Sequence, residues 1–110
     1  MAYDEELAER IRGLVAAEPG LTEKQMFGGL AFLVRGNMAV AASGEGGLLV
    51  RADPARSDEL VSTTAARPME MRGRELAGWL RVRGEDVSTE PELAHWVDLG
   101  VSYARELPAK

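Results

Sequence analysis

Residues 24 to 38 read KQMFGGLAFLVRGNM, and no other stretch restricts the fold so strongly. The apolar residues run on both parities: Met26, Leu30, Phe32 and Val34 on one side of an extended chain, Phe27, Ala31 and Leu33 on the other. A strand that is apolar on both sides is central in its sheet or covered twice. Arg35, Gly36 and Asn37 offer a short reversal, MAVAAS follows, and after the Gly-rich GEGG at 44 to 47 comes LLVRA. Strands joined by such short connections pair antiparallel, because a parallel return needs a crossover of a dozen residues or more. The expectation is a three-stranded meander.

Gly28 and Gly29 could be mistaken for a phosphate-binding loop. That loop must lead from a strand into a helix N-terminus, where free N–H groups face the anion. Here the pair leads into a strand, where glycine marks a bulge or the close approach of another backbone. The same argument makes GEGG a hairpin loop, and neither stretch suits a nucleotide fold.

Three helices flank these strands. Asp4 caps the first, with Glu5 and Glu6 in the first turn and Leu7, Ile11, Leu14 and Val15 forming one stripe before Pro19 and Gly20 stop it. Asp53 and Pro54 open a second, shorter helix carrying Leu60 and Val61 inward. Thr89 and Glu92 form a capping box for a third, whose stripe is Leu93, Trp96, Val97, Val101, Ala104 and Leu107, closed by Pro108. Between the second and third, PMEMR and GWLRVR make a hairpin about Gly73, with Met69 and Met71 on one face. The order is α-β-β-β-α-β-β-α, an α+β two-layer sandwich of helices on one antiparallel five-stranded sheet, forming a single domain over residues 1 to 110.

At 110 residues there is no room for separate cofactor and substrate domains, and no cofactor is expected. The chain has no cysteine, so no disulfide, thiolate nucleophile or Cys-based zinc site can form, and a cytoplasmic setting is the default. No apolar run approaches the roughly 20 residues of a membrane span, so a soluble chain is expected. Net charge is −5, spread over both halves, which disfavours binding to nucleic acid by this chain alone.

KQMFGGLAFLVRGNM, followed by ARPMEMRGRELAGWLRV at 66 to 82 and a closing helix with AHWV at 94 to 97, resembles the N-terminal domain of the TfoX/Sxy family over nearly the whole chain. The Met-Phe-Gly-Gly element before an apolar strand is the most specific part. The resemblance implies the domain's fold, no catalytic residues, and kinship with regulators of natural competence that act with a transcription activator. Those regulators carry an additional C-terminal domain, whereas this chain ends at Lys110, so a stand-alone N-terminal domain is expected.

His95, Asp98 and Ser102 share one helix face, but seven residues separate His95 from Ser102, about 10 Å along the axis, far beyond hydrogen-bond reach. No catalytic residue is therefore expected, and one histidine with scattered carboxylates offers no metal-ligand spacing. The methionines at 26, 38, 69 and 71 read as core filling rather than an adaptable surface. The feature that points to function is the hairpin from Arg67 to Arg83, where Arg67, Arg72, Arg74, Arg81 and Arg83 face only Glu70 and Glu75. Alternation puts Trp79, Arg81 and Arg83 together, opposite Leu80 and Val82. An aromatic anchor beside guanidinium groups suits an acidic protein partner. The expected interface is thus Trp79, Arg81 and Arg83 with Arg72 and Arg74, in a non-enzymatic regulatory or adaptor domain that binds a protein such as a transcription regulator. A homodimer is expected too, because the sheet face without helices must be covered. The alternative is a small nucleic-acid accessory module using the same hairpin.

Overall fold

Asp4 starts the first helix as its sequence requires: the carboxylate accepts from the backbone N–H groups of Glu6 and Leu7 at 3.0 and 3.2 Å. Helix α1 runs Glu5–Val15 and buries Leu7, Ala8, Ile11 and Val15. Leu14 is 38% exposed, because the buried arc runs from Leu7 through Ile11 to Ala8 and Leu14 falls just beyond its edge. The computed structural model describes residues 3–26, 28–71 and 73–109.

The strands are β1 (Leu21–Met26), β2 (Gly29–Val34), β3 (Asn37–Ala42), β4 (Leu48–Arg51), β5 (Arg67–Met71) and β6 (Arg74–Val82). They form one sheet in the order β1-β2-β3-β4-β6-β5, with every neighbouring pair antiparallel. The architecture is the expected α+β sandwich, with six strands in place of five. The additional strand comes from dividing the opening stretch: Met26 pairs with Gly29, and Gly28 at φ +76° turns the chain between them. The glycine pair thus stands at a hairpin, Gly28 in its turn and Gly29 as the first residue of β2. Sequence patterning does not reveal β1 because it is an edge strand, with Thr22, Glu23, Lys24 and Gln25 all exposed and no apolar alternation to mark it. Phe27 and Arg72 lie outside the described residues, as does the side chain of Met71.

After β4, Asp53 caps a 3-10 turn at Pro54–Arg56, its carboxylate accepting from the Ala55 N–H at 2.9 Å, and α2 follows at Ser57–Thr63. A second 3-10 turn, Gly84–Val87, leads from β6 into α3 (Glu90–Glu106), which has the full capping box between Thr89 and Glu92. Among the described residues no helix is long and apolar enough to cross a membrane.

All three helices lie on one face of the sheet. There Phe32, Val40, Val50 and Leu80 pack beneath Ile11, Leu93 and Val97, every one at most 1% exposed. Among the described residues the other face has no helix, and it carries a smaller cluster: Ala31, Met38, Ala41 and Leu49, with half-buried Met26, Leu33, Met69 and Trp79 packed against it. Asn37, 2% exposed, donates through Nδ2 to the Pro108 carbonyl at 2.8 Å and fastens the chain beyond α3 to the sheet.

Bidentate ion pairs tie the helices to the segments between them. Arg105 of α3 grips Glu18, in the connection to β1, and Arg12 of α1 grips Glu23 of β1. Each arginine holds its carboxyl below the ordinary carboxylate range by hydrogen bonding, with burial opposing. A carboxyl with a depressed pKa in the folded state stabilises the fold above its unfolded pKa, roughly 4.3 for Glu, and that stabilisation is lost as pH falls through the folded value. Thermal melts should therefore show Glu18→Gln a few degrees below the parent at pH 7. The gap should narrow as pH falls below the usual carboxylate range toward the lowered folded value; a gap that does not narrow with falling pH would assign the loss to packing.

Candidate functional site

The helix-free face places the expected interface residues unequally. Register settles which side chains share it, since directly opposed residues of antiparallel strands project to the same side. Leu49 opposes Arg81, Arg81 opposes Arg67, and Arg51 opposes Trp79. Trp79 and Arg81 therefore stand on this face beside the Ala31, Met38, Ala41 and Leu49 cluster, while Leu80 and Val82 enter the core as expected. Arg83 lies one residue beyond β6, and its guanidinium meets Glu85 and Asp86 at 3.3 Å each. Arg74 is exposed at the opposite end of β6, on the far side of the irregularity where Gly78 adopts φ +86°. Arg72 lies outside the described residues.

The guanidinium groups beside Trp79 are engaged. Arg81 pairs with Glu45 at 3.1 Å and donates to the Ser43 hydroxyl at 3.3 Å, both from the β3–β4 loop. Arg51 sits 5.0 Å from the centroid of Trp79 and 5.9 Å from that of Tyr103, so one cation contacts rings from β6 and α3. Sequence reasoning does not single out Arg51, Glu45 or Tyr103. β4 pairs with β6 across an intervening helix and strand, so neither the Arg51–Trp79 contact nor the Leu49–Arg81 contact is local. The one available signal is parity, which puts Arg51 on the same side of its strand as Leu49.

Between β3, the loop and the two edge strands lies a cavity of about 60 Å³ lined by Met26, Ala31, Met38, Ala41, Leu49, Met69 and Arg81 among others. Met26 belongs to one edge strand and Met69 to the opposite edge, so the sheet curls enough for both edges to reach one concavity. The methionines divide accordingly. Met38 is buried, as core filling requires, whereas Met26 and Met69 are half-buried at the rim, where unbranched thioethers can repack around a visiting group.

His95, Asp98 and Ser102 line a shallow cleft of about 370 Å³ between α3 and the turn after β4, with Asp53, Arg56, Tyr103 and Glu106. No hydrogen bond joins His95, Asp98 and Ser102 among the described residues. His95 instead meets the neighbouring Trp96 ring edge-on, centroids 5.2 Å apart. Nor do the described residues include a group of three or more His, Cys, Asp or Glu side chains arranged to hold a metal ion.

No curated protein matches the chain. The family model described as the TfoX N-terminal domain matches residues 13–104, from the last turn of α1 through nearly all of α3. That span holds all six strands and the whole helix-free face, and the chain belongs to the TfoX N-terminal domain family.

Proposed function

We propose that this TfoX-type domain is a non-enzymatic regulatory or adaptor module of the cytoplasm that works by binding a protein through the helix-free face of its sheet. One observation carries the reading: Trp79 is half-buried against an apolar cluster on a face that, among the described residues, none of the domain's own helices covers. Tryptophan flanked by arginine in a partly desolvated setting is the composition of an interface anchor. A transcription regulator is the partner class that fits the family's regulatory members.

The nucleic-acid alternative would draw on the Arg67–Arg83 hairpin, yet Arg83 already faces two carboxylates and the chain's net charge of −5 opposes the approach of a polyanion. A homodimer competes for the same face. Its driving force is reduced, because Ala31, Met38, Ala41 and Leu49 are each at most 6% exposed within one chain and only the rim is left to cover. Light scattering after size exclusion checks this occupant: a mass of twice 11.9 kDa at tens of micromolar supports self-association.

The decisive variant is Trp79→Ala. Affinity capture of the tagged protein, expressed at native level, should return a partner that the variant captures at least roughly tenfold less well, while its melting temperature stays close to that of the parent. Capture should persist at moderate salt. Complexes that dissolve steeply as salt rises, or a variant that captures as well as the parent, would overturn the proposal.

A further inference from the structure

One line of side chains crosses the whole helix-free face. Lys24 of β1 opposes Ala31, Ala31 opposes Ala41, Ala41 opposes Leu49, Leu49 opposes Arg81, and Arg81 opposes Arg67 on the far edge strand. The row is cationic at both ends and small or aliphatic in the middle. Apart from Glu45 on the β3–β4 loop, these acids sit away from the row: α1, α2 and α3 all open with carboxylates, and Glu23 of β1 opposes Phe32 and so points to the helical side. The chain is acidic overall, but this face is not.

Among the described residues, the single carboxylate lining the methionine cavity is Glu45. It stands on the loop between β3 and β4, its side chain 81% exposed, and reaches Arg81 at 3.1 Å. An ion pair so open to solvent contributes little to stability, so a second carboxylate can replace it at small cost. Lys24 and Arg67 have no ion-pair partner within 4.0 Å among the described residues.

We propose that this face receives an acidic peptide segment of a partner protein. One apolar side chain seats among Met26, Met38 and Met69, and a neighbouring carboxylate takes the place on Arg81 that Glu45 holds in the free domain. The proposal rests on the protein-binding reading above and adds the occupant, its charge and the built-in competitor. The cavity, about 60 Å³ and walled by thioethers, suits one short aliphatic side chain, and flexible walls let it accept several kinds. Nucleic acid fits less well, because the Arg51 guanidinium lies 5.0 Å from the Trp79 ring centroid, over the surface on which a base would stack.

The test is selection of random dodecapeptides displayed on phage against the intact protein, followed by anisotropy titrations of the enriched peptides. Enriched sequences should be acidic with an apolar residue beside Asp or Glu. Arg81→Gln should weaken them about tenfold and the exposed Arg67→Gln by a smaller factor, whereas Glu45→Gln should tighten them about threefold by removing the competitor. Tightening is an outcome that damaged folding cannot mimic. Neutral or basic consensus peptides, or no enrichment, would overturn the proposal. Acidic peptides indifferent to all three variants would overturn it too and leave protein binding elsewhere on the domain intact. An oligothymidylate that binds with the same variant pattern would give the face to nucleic acid. A dimer broken by Arg81→Gln would give it to a second copy.

Discussion

Gly29→Val should be among the most damaging single substitutions in this chain, although Gly29 neighbours only a hairpin turn. A Cβ at this position would fall within the van der Waals envelope of the Ala42 carbonyl oxygen and 3.0 Å from the Gly44 nitrogen. Both obstacles are backbone, so no rotamer change relieves them. The approach is mutual, since a Cβ on Gly44 would stand 2.6 Å from the Gly28 carbonyl oxygen. The β1–β2 turn and the β3–β4 loop therefore meet backbone to backbone, and a branched side chain must force them apart or break the pairing of β2 with β3. Overpacking a well-fitted site costs about 1–3 kcal/mol, and rigid backbone on both sides puts this case at the upper end, a fall of roughly 10 °C in melting temperature. Gly28 makes the contrast. A Cβ added there would meet no atom within 4 Å, but the residue sits at φ +76°, so Gly28→Asn should be mild, because Asn tolerates the left-handed region, and Gly28→Val worse. Circular-dichroism melts decide both, and a Gly29→Val protein melting within about 2 °C of the parent, under 1 kcal/mol, would remove the close approach as the reason for this glycine.

Local chemistry is legible in the sequence because it depends on neighbours along the chain. The caps at Asp4, Asp53 and Thr89, and the turn at Arg35-Gly36, follow from residues no more than three or four apart. Trp79 and Arg81 on the face opposite Leu80 and Val82 follow from strand parity alone. What stays hidden depends on which strand lies beside which. The sheet inserts β6 between β4 and β5, and that choice brings Arg51 to Trp79, Arg67 to Arg81, and the β3–β4 loop to the end of the arginine row. Arg83 departs from the expected interface for a smaller reason. β6 stops at Val82, so alternation no longer governs the next residue, and Glu85 and Asp86, held close by the 3-10 turn, claim its guanidinium.

Gly100→Val should match Gly29→Val in severity, for a reason that reaches the proposed binding face. Gly100 lies in the middle of α3, where glycine costs about 1 kcal/mol relative to alanine, so propensity alone favours replacing it. Packing reverses the sign. A Cβ there would run into the Ala39 carbonyl oxygen of β3 and come 2.9 Å from Val40 Cγ1, so the missing side chain is what lets α3 lie against the sheet. Ala39 is also the residue left over where the β2–β3 register shifts, which brings its carbonyl toward the helix. Gly13 of α1 supplies the control, since it is exposed and nothing lies within 4 Å of its Cβ position. Gly13→Ala should therefore raise the melting temperature by a few degrees, Gly100→Ala should lower it, and Gly100→Val should cost about 3 kcal/mol. One turn beyond Gly100, Tyr103 contacts the guanidinium that also covers Trp79, so lifting α3 off β3 removes one of the two rings that hold Arg51. Folded Gly100→Val protein should accordingly show altered Trp79 fluorescence when recorded in a Trp96→Phe background, and weaker partner capture, though no residue of the binding face has changed. Wild-type emission and capture in a protein destabilised by that amount would separate the position of α3 from the Trp79 surface.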